Sequence, residues 1–160
     1  MQVRSKYKYR SLKDTVEKIY LQAKRSINYA QRFIPSNIRT PKELFTILKH
    51  NTTYKHDPVN IELLQSMPSM FEDNYWGYDK SGYGDCDCFS ITALACCEVL
   101  GIPCRLVLVG NTKDAPSHVY CEVMDNGKFV PFDLVAPMFG VTRQYKYRTT
   151  LPIKKLIVVS

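Results

Sequence analysis

Residues 118 to 135, "HVYCEVMDNGKFVPFDLV", constrain the fold of this chain more than any other stretch. Two strand-like runs flank Asp125-Asn126-Gly127-Lys128, and Asn-Gly is the strongest short signal for a two-residue hairpin turn. With Asn126 and Gly127 as the turn, Asp125 faces Lys128, Val123 faces Val130, Cys121 faces Phe132 and Val119 faces Leu134. The last three pairs are apolar, so one face of the hairpin belongs to a core. The other face sets His118, Tyr120 and Glu122 against Val135, Asp133 and Pro131. His118 and Asp133 are then diagonal neighbours across two antiparallel strands. Their backbones lie roughly 7–8 Å apart, within reach of a carboxylate bonding an imidazole. A turn one residue longer would reverse the parity and undo this pairing.

Upstream lies "GYGDCDCFSITALACCEVLGIPC". Phe89, Ala93, Leu94, Cys97 and Leu100 mark a helix that starts near Cys86 and stops at Gly101, with Pro103 just beyond. Gly84-Asp85 leads into its first turn and places Cys86 at or beside the first position. Free N–H groups and the positive end of the helix dipole favour an anion there and lower a thiol's pKa. The same N–H groups can hold the oxyanion of an acyl intermediate.

Other readings of the cysteines fit less well. Zinc sites pair cysteines in two turn-borne clusters, whereas Cys96 and Cys97 lie inside the helix and point about 100° apart. A C-x-x-C redox motif is absent. Cys96, Cys97, Cys104 and Cys121 have apolar neighbours and read as small core hydrophobes, not as the framework of a short secreted domain. No metal and no cofactor is therefore expected. Cys86, His118 and Asp133 together make a nucleophile, a base and an orienting acid. The plainer alternative has His118 opening a surface strand and Asp133 ending another.

The remaining chain reads as helix first and strand later. Ser11 as N-cap with Asp14 three residues on starts an amphipathic helix. Its stripe is Leu12, Val16, Ile19, Tyr20, Ala23, Ile27 and Ala30, and it ends near Pro35. "TPKE" starts a second helix, with Thr40 as cap, Pro41 at the first position and Glu43 closing the box. "NIELLQS" reads as a short third helix stopped by Pro68, and 69 to 85 as an irregular loop. "CRLVLVG" is a buried strand, and "IKKLIVVS" a candidate closing strand. "YKYR" occurs at 7 to 10 and again at 145 to 148. Tyrosine alternating with base can bind single-stranded nucleic acid. With no nucleic-acid motif beside them, solvent-facing edge strands are the favoured reading and nucleic acid the unfavoured partner.

The 160 residues are enough for one domain with its own core. No apolar run could span a bilayer, and "MQVRSKYKYRS" lacks the apolar segment of a secretory signal. A soluble protein of a reducing compartment is expected. The net charge of +7 is uneven: residues 1–60 carry 13 basic and 4 acidic side chains, residues 61–142 carry 4 and 11. Basic ends flank an acidic middle, which suits docking to an anionic partner and leaves the fold undetermined.

Three ordered blocks, "YGDCDCFSITALACCEVLGIPCRLVLVG", "HVYCEV" and "FVPFD", resemble those of the transglutaminase-like, papain-related cysteine superfamily. The resemblance covers about residues 58 to 135. It implies an α+β fold of one domain, 1–160, with a catalytic helix and N-terminal helices packed on an antiparallel sheet. Within it, a basic helical part (about 1–57) precedes the catalytic core, and a basic strand segment (136–160) follows. It also implies a thiol enzyme acting on a protein or peptide by hydrolysis or acyl transfer, with Cys86 as nucleophile, His118 as base and Asp133 as orienting acid. "DPVNIELLQSMPSMF" resembles the lead-in of small bacteriophage and prophage members. That implies a bacterial cytoplasmic or virion-associated protein, or an assembly component that keeps the scaffold and docks. One departure is Cys88, where phage-type members often carry a second acid after Cys-Asp; Gly84-Asp85 favours Cys86, and Cys88 is a possible second reactive thiol. Asp85 adjoins the site, and Gln65 and Trp76 are the candidates for an upstream oxyanion donor.

Overall fold

The computed structural model describes residues 4–7, 12–59, 62–72 and 82–157. In chain order its elements are strand β1 (Arg4–Tyr7) and helices α1 (Leu12–Arg25), α2 (Ile27–Phe33) and α3 (Pro41–Asn51). Strands β2 (Thr52–Tyr54) and β3 (Glu62–Gln65), helix α4 (Met67–Phe71) and strand β4 (Gly82–Gly84) lead into helix α5 (Cys86–Leu100). Strands β5 (Cys104–Gly110), β6 (His118–Asp125), β7 (Lys128–Phe132) and β8 (Tyr147–Thr150) follow. The last four form an antiparallel sheet in the order β7-β6-β5-β8. β1 pairs antiparallel with β3, and β2 parallel with β4.

The hairpin has the register that its sequence predicts, with Cys121 opposite Phe132, Val123 opposite Val130 and Asp125 opposite Lys128. Asn126 (φ 51°) and Gly127 (φ 84°) both take left-handed backbone, the requirement of a type I′ turn. Leu106, Leu108, Val119, Cys121, Val123 and Phe132 form the sheet's contribution to the main core. Helix α5 supplies the centre of that core, and every residue from Asp87 to Cys97 is buried. A helix apolar on all sides must be enclosed on all sides. Here α1, α2, α3 and α4 complete the enclosure. Val107, Val109, Tyr120 and Tyr145 cluster on the other sheet face. There Glu122, buried, accepts from Arg105 at 2.7 Å and also pairs with Arg148.

Several expectations are corrected. The first helix is two: Ser26 interrupts it, its hydroxyl donating to the Gln22 carbonyl at 2.7 Å while accepting the Met67 N–H at 2.9 Å. A serine that bonds back to the preceding turn weakens a helix at that point. The Ser11 cap lies outside the described residues. "ELLQ" is strand β3, because β1 offers a ladder and both Leu63 and Leu64 are fully buried; a short apolar run carries no period to separate the two states. Pro68 helps to open α4 in place of stopping a helix. The presumed loop 69–85 contains the end of α4 and all of β4.

The closing strand is Tyr147–Thr150; residues 153–157 form no strand, and 158–160 lie outside the described residues. The Leu151 N–H still bonds the Leu106 carbonyl at 2.9 Å, but Pro152 has no N–H to continue the ladder. The second "YKYR" is an edge strand from Tyr147, as read, and its exposed Arg148 also pairs with Glu122; most of the first copy, from Lys8 onward, lies outside the described residues. The Thr40 capping box forms as read, with Glu43 N–H donating to Thr40 Oγ1 at 3.2 Å and Thr40 N–H to Glu43 Oε1 at 3.0 Å. Cys96, Cys97, Cys104 and Cys121 are free and buried. Among the described residues, no helix is long and apolar enough to cross a membrane.

Gly84 joins fold to site. A Cβ there would stand 2.6 Å from the Cβ of Cys88, so only glycine lets β4 lie this close to the first turn of α5. Overpacking of this kind costs about 1–3 kcal/mol. Gly84→Ala is expected to lower the unfolding free energy by that amount, read from the urea midpoint at unchanged slope.

Candidate active site

The tip of α5 is built by Asp85. Its backbone is extended, and its carboxylate accepts the N–H groups of Asp87 (3.2 Å) and Cys88 (3.4 Å). Its carbonyl accepts the Phe89 N–H at 2.9 Å. The cap thus takes the second and third N–H groups of the helix. It leaves the first, that of Cys86, beside the Cys86 sulfur. The Cys86 side chain is half-buried, and the backbone N–H of Val119 is directed at its sulfur. That amide belongs to the peptide joining His118 to Val119, so the start of β6 and the tip of α5 meet at the thiol.

His118 Nε2 lies 2.9 Å from Asp133 Oδ2. The carboxylate can only accept, so Nε2 carries the proton and Nδ1 is the basic nitrogen. The rings of Tyr120 and Tyr145 lie near-parallel to the imidazole, 5.7 and 5.9 Å between centroids. Asp133 is fixed in turn: Oδ1 accepts the Val135 N–H at 3.0 Å, and Oδ2 the Thr142 hydroxyl at 2.9 Å. Lys49 of α3 donates to the Leu134 carbonyl at 2.8 Å and ties this corner to the helical layer. Cys86, Asp87 and His118 open on one cavity of about 170 Å³, walled by Leu12, Val16 and Leu108 among others.

Thr142 carries no signal in the sequence, and Tyr145 is read there only as part of the second "YKYR"; folding brings both back across Asp133 and His118. Of the other candidates, Cys88 is fully buried. Its thiol donates to the Leu63 carbonyl at 3.2 Å, and burial pushes its pKa well up, so it is not a second exposed nucleophile. Gln65 is buried behind the helix, with its amide nitrogen 2.9 Å from the Tyr83 carbonyl and 3.8 Å from the Cys88 sulfur. Its donors hold β4 and α5 together, and it is not among the residues lining the cavity. Trp76 lies outside the described residues. Asp85 acts as helix cap. Among the described residues, no group of three or more His, Cys, Asp or Glu side chains is arranged to hold a metal ion.

The electrostatics overturn one expectation. A helix tip favours a thiolate, yet the Cys86 thiol is pushed well above its ordinary value. Burial is the main cause, followed by the charges of Asp87 and Asp85, and the Val119 N–H offsets only part of this. The acids crowd one another as well. Burial, then the charge of Asp85, raises Asp57 from 3.8 to about 8. Asp87 is also pushed well up, by burial and then by its hydrogen bond with Glu62. Carboxyls packed this closely keep protons that they would lose in water.

Two predictions follow from this geometry. Because Asp57 holds its proton in the folded state up to about pH 8 but loses it near 3.8 when unfolded, stability falls as pH rises through that window. Asp57→Asn is expected to flatten the fall, measured as melting temperature from pH 4 to 8. Thr142→Val removes a donor to a buried carboxylate and is expected to cost about 1.5–3 kcal/mol. Thr142→Ser, which keeps the hydroxyl, should recover most of that loss in urea denaturation.

A family model described as the transglutaminase-like superfamily matches residues 27–134. A crystal structure described as a TGase is 20% identical, with 84% of this chain and 36% of that one covered and a TM-score of 0.41. A structure described as a candidate cysteine protease from Cytophaga hutchinsonii is 13% identical, with 92% of this chain and 52% of that one covered and a TM-score of 0.44. The chain therefore spans about a third and about half of the length of these two proteins. No match is found among curated proteins. The family match takes in more than half of the sequence, including the helix tip, the strand that opens at His118 and the turn at Asp133; the chain belongs to the transglutaminase-like superfamily.

Proposed function

We propose that the protein is a thiol acyl-transfer enzyme in which Cys86 attacks a carboxamide or peptide carbonyl of a protein or peptide. The observation that carries this reading is that Cys86 at the tip of α5 and His118 at the start of β6 line one cavity, with His118 bonded to Asp133 at 2.9 Å. Core packing alone gives no reason for an imidazole–carboxylate pair beside a thiol.

The acidic surroundings select among mechanisms. A neutral thiol is the resting form when burial, Asp87 and Asp85 all oppose the thiolate. His118 Nδ1 therefore takes the proton as the sulfur–carbon bond forms, in general-base fashion. Asp133 holds the imidazole in the required tautomer and stabilises its charge. The Cys86 N–H, left over by the Asp85 cap, is the donor nearest to the developing oxyanion. His118 then returns the proton to the leaving nitrogen as the carbon–nitrogen bond breaks, and a thioester remains on Cys86. Water gives hydrolysis and an amine gives transfer; in either case the incoming group's proton passes through His118 and the thiol is regenerated.

The test is alkylation by iodoacetamide at neutral pH with peptide mapping. Cys86 is expected to label faster than free cysteine. General-base assistance is worth roughly 100-fold or more, so His118→Ala should slow labelling about 100-fold, and Asp133→Asn should slow it too. Equal rates in the parent protein and His118→Ala would overturn the reading.

A further inference from the structure

The family match begins at residue 27, after α1, yet α1 supplies a wall of the cavity that holds Cys86 and His118. Leu12, Thr15, Val16 and Ile19 line it, spaced three and four apart and therefore on one helix face. Ile19 is buried at its base, while Leu12 and Val16 are half-buried against open space. Leu108 of β5 and Pro116 extend the apolar wall, and Val119 joins it beside the sulfur. At about 170 Å³, the space is well below the several hundred Å³ of a site for a drug-sized ligand. It suits one side chain. Glu62 and Asp87 form its polar edge, where Asp87 is hydrogen-bonded to Glu62.

From this we infer that α1 is the specificity element of the enzyme, selecting acyl donors that place one aliphatic side chain of leucine size in the cavity. The inference rests on the acyl-transfer reading given above. It assigns Leu12 and Val16 as specificity-determining residues, contributed by a helix that precedes the matched core. Recognition is by apolar contact and shape, so discrimination is that of a hydrophobic pocket, about 10- to 200-fold per methylene-scale difference.

The test uses acetyl-dipeptidyl vinyl sulfones bearing Leu, Gly, Lys or Glu at either position, with iodoacetamide as a probe that carries no side chain. At one of the two positions, Leu should label Cys86 at least tenfold faster than Gly, Lys or Glu. Val16→Trp, which fills the cavity, should abolish that preference, and the iodoacetamide labelling that remains should still depend on His118. Leu12→Trp, also half-buried on this face, provides a second variant if the first does not fold. Equal rates across side chains, or a charged residue preferred at both positions, would overturn the inference, as would a leucine preference that survives both tryptophan variants. Failure of the peptidyl probes with His118-dependent iodoacetamide labelling intact would remove only this inference. Loss of that dependence would remove the enzymatic reading itself.

Discussion

Helix α5 has no face left for water from Asp87 to Cys97, and the positions of its neighbours follow from that. An enclosed helix can neither rotate nor slide without opening a void, and voids in a close-packed interior are costly. Sheet and helical layer therefore take their places from α5. Gly84 and Asp85 complete the arrangement at the entry. One has no side chain to collide with Cys88, and the other closes the first turn with its own carboxylate. A reactive group at such a tip has its direction set by the core.

The electrostatic character of the site is unusual for a helix-borne thiol. The dipole of α5 and the Val119 N–H both favour negative charge at the sulfur, while burial and the acids around it oppose this more strongly. That balance disfavours a resting thiolate. His118 has a carboxylate on one nitrogen and aromatic rings alongside. Asp133 keeps its place through the Val135 amide and the Thr142 hydroxyl, so the imidazole is aligned by a group that is itself aligned.

Much of this was legible in the residues. Asn126-Gly127 sets the hairpin parity, and that parity alone puts His118 and Asp133 on one face. Gly101 and Pro103 marked the end of α5, and Thr40 with Glu43 marked the start of α3. Short apolar runs were not legible: "ELLQ" became a strand because β1 was there to pair with it, a partner that local sequence does not reveal. The break at Ser26 has no local signal, because its hydroxyl serves two backbone groups, one of them at Met67, only in the fold. The thiol's titration was misread for a related reason. Proximity to a helix tip is visible in sequence, and so are Asp85 and Asp87, but the burial that dominates at the thiol arises only on folding. Thr142 and Tyr145 depend in the same way on the return of the chain after β7.

The deep cysteines have a consequence for how the molecule opens. Cys96, Cys97 and Cys121 have no exposed surface, and Cys104 has only 7%. Sealed thiols meet a bulky reagent only when the layers around α5 separate. Their reaction with such a reagent is therefore a clock on the breathing of the interior, running independently of the chemistry at the helix tip. A single chain thus carries one thiol that reports on its surface chemistry and others that report on how often its centre comes apart.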